Sequence, residues 1–168
     1  MDTLAARLRL DFAPVHRRPD TLRFVLASVC AIVGSLVADA LLVVVSEAVF
    51  PSTKGYVHFQ FADYSKLTVI GVVVACIAWP LTTRISSDPR WLFLRMAVLV
   101  TLVLLLPDVY IWAQGQSAQA VAVLMVMHIA IGVVTYEALV RLAPARAAQP
   151  QNTPPQLGAG RSAFSRRL

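Results

Sequence analysis

Four long apolar runs, separated by short polar stretches, organise this chain. They cover about 24–46, 67–83, 92–112 and 118–140. A helix needs roughly 20 apolar residues to cross about 30 Å of hydrocarbon. The pattern therefore predicts an all-α fold: an integral membrane four-helix bundle occupying 24–143. The second run is the shortest, unbroken from Val69 to Leu81 and ending around Pro80 with Thr82, Thr83 and Arg84. Between the third and fourth runs, Ala113 to Ser117 leave only a short turn containing Gly115, so those two helices are expected to be antiparallel neighbours.

The first run has two features of a processed leader. Ala38-Asp39-Ala40 resembles a small-residue cleavage site, and Leu26 to Cys30 resembles a lipoprotein box. Its apolar stretch continues well past both, whereas a signal core is about 7–15 residues, so a retained span is expected.

Composition agrees with a membrane protein. Of 168 residues, 58% are hydrophobic and 14% charged, and the mean hydropathy is +0.68. A soluble domain carries nearer a quarter charged residues. The net charge of +6 could suggest nucleic acid, but the basic residues flank the apolar runs, with no stripe of interleaved exposed aromatics. No nucleic-acid partner is expected. Cys30 and Cys76 form no C-x-x-C and read as small buried hydrophobes, which argues against a disulfide oxidoreductase.

Basic residues also set an expected orientation. Thirteen of the fifteen lysines and arginines lie in residues 1–23, around the second turn (Arg84, Arg90, Arg95) or in the tail. The first loop holds Lys54 and Lys66, and the third turn holds none. By the positive-inside rule both termini are cytoplasmic, in the cell (plasma) membrane. Tyr110 and Trp112 then belong to the outer aromatic belt and Trp91 to the inner one. Residues 1–23 form a basic cytoplasmic segment, mildly amphipathic from Leu4 to Phe12. Residues 144–168, poor in large apolar groups, form a disordered basic tail able to touch anionic lipid.

Few positions in these runs are as costly as Asp39. A carboxylate at membrane depth costs about 2.5–3.5 kcal/mol on insertion scales, so it calls for a partner, a cavity or a function. Ser28, Ser35, Asp39 and Ser46 fall on one helical face, with Ala27 and Ala31 alongside. Thr68, Gly71, Ala75, Ala78 and Thr82 make a similar small-residue face in the second run. Such faces let helices approach closely and share hydrogen bonds. At 1.5 Å per residue Asp39 lies roughly 10 Å from the outer end of its span, His128 roughly 14 Å and Asp108 roughly 6 Å. Asp39, Asp108 and His128 are therefore the candidate ligand- or proton-binding residues, able to line one outward-facing pocket. Pro107 would free the Val103 carbonyl beside it. Gly132 and Thr135 share the face of His128. Met125 and Met127 read as core filler. Glu137 and Arg141 form an i,i+4 pair at the cytoplasmic edge, and Glu47 reaches water at the outer end.

The stretch Val69–Pro80, the basic turn Arg84–Arg90, Leu104-Leu105-Leu106-Pro107 and Leu124-Met125-Val126-Met127-His128 together resemble a family of small actinobacterial membrane proteins, a domain of unknown function with four spans. The likeness covers about residues 24–143, and its most specific element is the methionine–histidine segment. It implies the topology and no activity.

No serine or cysteine nucleophile stands in helical register with a base, so no catalytic residue and no enzyme are expected. His16, His58 and His128 lie in separate regions, so neither a metal nor a haem is expected, and there is no phosphate-binding loop. The leading expectation is a non-enzymatic accessory or scaffold protein, with Asp39 and His128 as a polar clamp between spans one and four. Its partners are the lipid bilayer and either a second copy or another membrane protein. The alternative is a small proton-coupled transporter or ligand-binding protein using Asp39, Asp108 and His128.

Overall fold

The computed structural model of the protein describes residues 16–17 and 19–147. Most of the expected N-terminal segment and nearly all of the expected tail lie outside the described residues. Four helices carry the fold: α1 Thr21–Val49, α2 Phe61–Ile85, α3 Pro89–Ala113 and α4 Ala118–Leu142. Each contains the corresponding apolar run, and each is long and apolar enough to cross a membrane. α2 continues through Pro80 to Ile85, and in its last turns the Thr82 and Thr83 hydroxyls bond the Trp79 and Pro80 carbonyls at 2.7 and 2.9 Å. Asp88 starts α3 by accepting the Trp91 N–H at 3.3 Å, with Pro89 in the first turn where its missing N–H costs nothing.

The helices run up and down, each packed on its sequence neighbours. α1 closes the ring against α4 through the most extensive interface in the bundle. α2 also touches α4 across the diagonal. At the end carrying the termini, His16–Arg17 (β1) pairs antiparallel with Arg146–Ala147 (β2), and Arg146 meets Asp20 at 3.2 Å.

The distribution of side chains is the reverse of a soluble bundle. In α1 the buried residues are Ala27, Ala31, Ser35, Asp39 and Ser46, whereas Val25, Val29, Val33, Leu41 and Val44 are all more than half exposed. Small and polar groups face inward and branched apolar groups face outward, which is stable where the surroundings are hydrocarbon. Gly34 and Gly132 mark the closest approaches. A Cβ on Gly34 would stand 3.1 Å from Val134 Cγ1, and one on Gly132 would stand 2.9 Å from Thr101 Oγ1. The expected small-residue face of α2 holds at Thr68 and Thr82, which are buried, but Gly71 is exposed and faces open space.

The two halves of the bundle differ in chemistry. Towards the termini the core is apolar and aromatic, with Trp79 against Phe93 at 5.1 Å and Phe93 stacked on Tyr136 at 5.9 Å. The Trp79 indole is fully buried and donates to the Ala143 carbonyl at 2.8 Å, joining α2 to the end of α4. The buried carboxylates, Asp39 and Asp108, lie in the distal half, opposite the termini.

Candidate functional site in the distal half

Asp39 projects from α1 into the bundle and is 0% exposed. Thr68 of α2 donates its hydroxyl to Asp39 Oδ2 at 2.6 Å, and among the described residues Asp39 Oδ1, also buried, has no hydrogen-bond partner. One turn towards the termini, Ser35 of α1 and Thr135 of α4 bring their hydroxyls to 3.4 Å. The serine face read from the sequence is therefore buried, and its contacts reach two neighbouring helices.

Asp108, in the α3 turn that follows Pro107, is almost fully buried. His128 of α4 places Nδ1 2.9 Å from Asp108 Oδ2 and 3.0 Å from the carbonyl of Leu124. A carbonyl only accepts, so Nδ1 carries a proton and neutral His128 keeps its lone pair on Nε2. The N–H is directed at Leu124, which leaves Asp108 Oδ2 without a directed hydrogen bond although it touches the ring.

His128 stands within electrostatic reach of both acids. Among the described residues no hydrogen bond joins Asp39 to His128. Asp39 takes its donor from α2, and His128 meets α3 instead. The loop between α1 and α2 adds groups that the apolar runs gave no reason to select. Two single 3-10 turns, Pro51–Thr53 and Val57–Phe59, fold this loop, with Phe59 buried beneath it. Tyr56 packs edge-on against His58 at 5.4 Å and Phe59 at 5.2 Å. Its hydroxyl is buried without a partner, and burial, with the nearby negative charge of Asp108, pushes the phenol above its ordinary pKa. His58 is exposed on the same turn. Tyr64, at the start of α2, is buried and packs edge-on against Phe61 at 5.5 Å.

The sequence therefore marked Asp39, Asp108 and His128 and placed Thr68 on a face able to share hydrogen bonds, but did not select Tyr56 or Tyr64. The single available signal was the aromatic and histidine content of the loop between Tyr56 and Phe59. Among the described residues no group of three or more ligands is placed to hold a metal ion. An open groove of about 490 Å³ runs between the distal end of α1 and the first turns of α4, walled by Leu42, Val45, Val49, Ala122 and Val126 among others. None of the three candidate residues lines it. Glu137 and Arg141 form the expected ion pair on α4.

The model of DUF6069, a family of unknown function, matches residues 13–145. This extends the likeness read from the sequence beyond both its ends and says nothing of the source organism. No curated protein and no solved structure matches the chain.

Proposed function

The chain belongs to the DUF6069 family, and we propose that it is a non-enzymatic, multi-pass plasma-membrane protein that binds protons at a cluster formed by Asp39, His128 and Asp108. One observation carries this reading: two carboxylates, Asp39 and Asp108, are buried in one half of the bundle with His128 against Asp108, and among the described residues Asp39 Oδ1 has no donor. With ionisation as in water, the cluster would hold net negative charge at membrane depth. That is costly, and proton uptake relieves it. The positive-inside rule supports cytoplasmic termini, which turns the distal half outward.

A second reading, an accessory or scaffold protein held together by polar ties, is favoured by the hydrogen bonds from α1 to both α2 and α4. The two readings separate in purified protein reconstituted in liposomes with a pH-sensitive dye in the outer medium, which reads the protons taken up after a pH step. The proton-binding reading expects Asp39→Asn, Asp108→Asn and His128→Gln each to lose pH-driven proton uptake while Tm stays within a few degrees. Wild-type liposomes without uptake, together with a large fall in Tm on Asp39→Asn, would leave the scaffold reading.

A further inference from the structure

We propose that Arg95, held on the face of Trp91, binds the phosphate of an anionic phospholipid in the leaflet nearer the termini. The site lies on the outer surface of α3 and is separate from the buried carboxylates. Arg95 comes six residues after Pro89, the first residue of α3, so it stands roughly 9 Å into a helix long and apolar enough to cross a membrane. It is exposed, and its guanidinium carbon stands 3.8 Å from the centroid of the Trp91 ring, one turn nearer the helix start. Helical side chains lean towards the N-terminus, so this stack carries the charge back towards the membrane surface. Stacking uses the flat face of the guanidinium and leaves the N–H groups along its edge to take phosphate oxygens two at a time.

Two further observations point to a lipid. The first is charge. Among the described residues Arg141 pairs with Glu137 and Arg146 with Asp20, whereas Arg95 has no carboxylate partner. The charged residues of the stretch 84–95 are Arg84, Arg90, Arg95 and Asp88, and Asp88 Oδ1 already accepts the Trp91 N–H at 3.3 Å. Arg84 and Arg90 are exposed in the last turn of α2 and the first turn of α3, so this turn carries surplus positive charge. That surplus favours a headgroup with net negative charge over a zwitterionic one. The second is the surface that continues from Arg95. Val98, Leu99 and Leu102, three, four and seven residues on, share its face and are each more than half exposed. A phosphate held on Arg95 lays its acyl chains along this apolar stripe, which a free phosphate ion could not use.

The test uses full-length protein in phosphatidylcholine liposomes, with Trp91 as the reporter. Part of the lipid is replaced by phosphatidylglycerol or phosphatidylcholine brominated on an acyl chain, and quenching of tryptophan fluorescence is followed. Trp79 is fully buried and Trp112 lies at the far end of α3, so the quenching lost in Trp91→Phe belongs to Trp91. Brominated phosphatidylglycerol should quench that signal at a several-fold lower mole fraction than brominated phosphatidylcholine. Arg95→Gln should reduce the preference by about fivefold, the worth of one arginine at an anionic surface, with helix content by circular dichroism unchanged. Arg95→Lys keeps the charge but has neither the fork nor the flat face, and should lower the preference as well. Arg141→Gln removes a charge at the same end of the bundle and should leave it unchanged. Equal quenching by the two lipids, or a preference unchanged in either Arg95 variant, would overturn the site. A loss in Arg141→Gln as large as in Arg95→Gln would mean diffuse attraction and overturn it too. Competition by inorganic phosphate would make the ligand a free ion and overturn the lipid.

Discussion

Asp39 has one oxygen on the Thr68 hydroxyl and the other without a donor, so its environment responds in opposite ways to two small changes. Thr68→Val keeps the shape of the side chain but takes away the only donor. Stranding a buried acceptor costs about 1–3 kcal/mol, so this variant should melt several degrees lower in detergent, as read by circular dichroism. Asp39→Asn removes the ionisable group and should melt at or above the wild-type temperature; a collapse of Tm would make the carboxylate itself structural. The burial of Asp39 was legible because Ser28, Ser35 and Ser46 share its face. Its donor was not, since helical spacing fixes which residues share a face and says nothing of how far one helix slides along another. The same sliding decides that His128 meets Asp108 at 2.9 Å rather than bonding Asp39.

At the scale of the helices, α4 is pressed most closely against α3 where Gly132 lies under Thr101. Gly132→Ala should therefore destabilise the bundle by about 1–3 kcal/mol, the usual result of overpacking a tight contact. The companion change Gly71→Ala meets open space and should leave Tm unchanged or slightly raised, because alanine is the better helix former. Equal effects of the two, measured side by side, would contradict the packing described here. The four spans themselves were legible because membrane thickness sets a minimum apolar length, and every run lies inside its helix. The role of Gly71 was misread for a specific reason. A repeat of small residues at every third or fourth position marks a face without showing whether a neighbour covers all of it.

For the whole molecule, the apolar aromatic core near the termini and the polar cluster near the opposite end divide the bundle unequally. Asp39 stands ten residues before the end of the 29-residue α1, roughly 15 Å along a helix of about 43 Å. It therefore lies about a third of the way into any electric field across the bilayer. One elementary charge crossing the full field gains about 2.3 kcal/mol per 100 mV, so a proton reaching Asp39 from the loop side gains or loses about 0.8 kcal/mol, close to fourfold in affinity. Its sign is set by orientation. With cytoplasmic termini and a negative interior, polarising the liposomes by a potassium gradient should tighten proton binding from outside; the opposite shift would mean an inverted insertion. On the proposed reading, the depth of one carboxylate makes proton binding at Asp39 a gauge of membrane voltage.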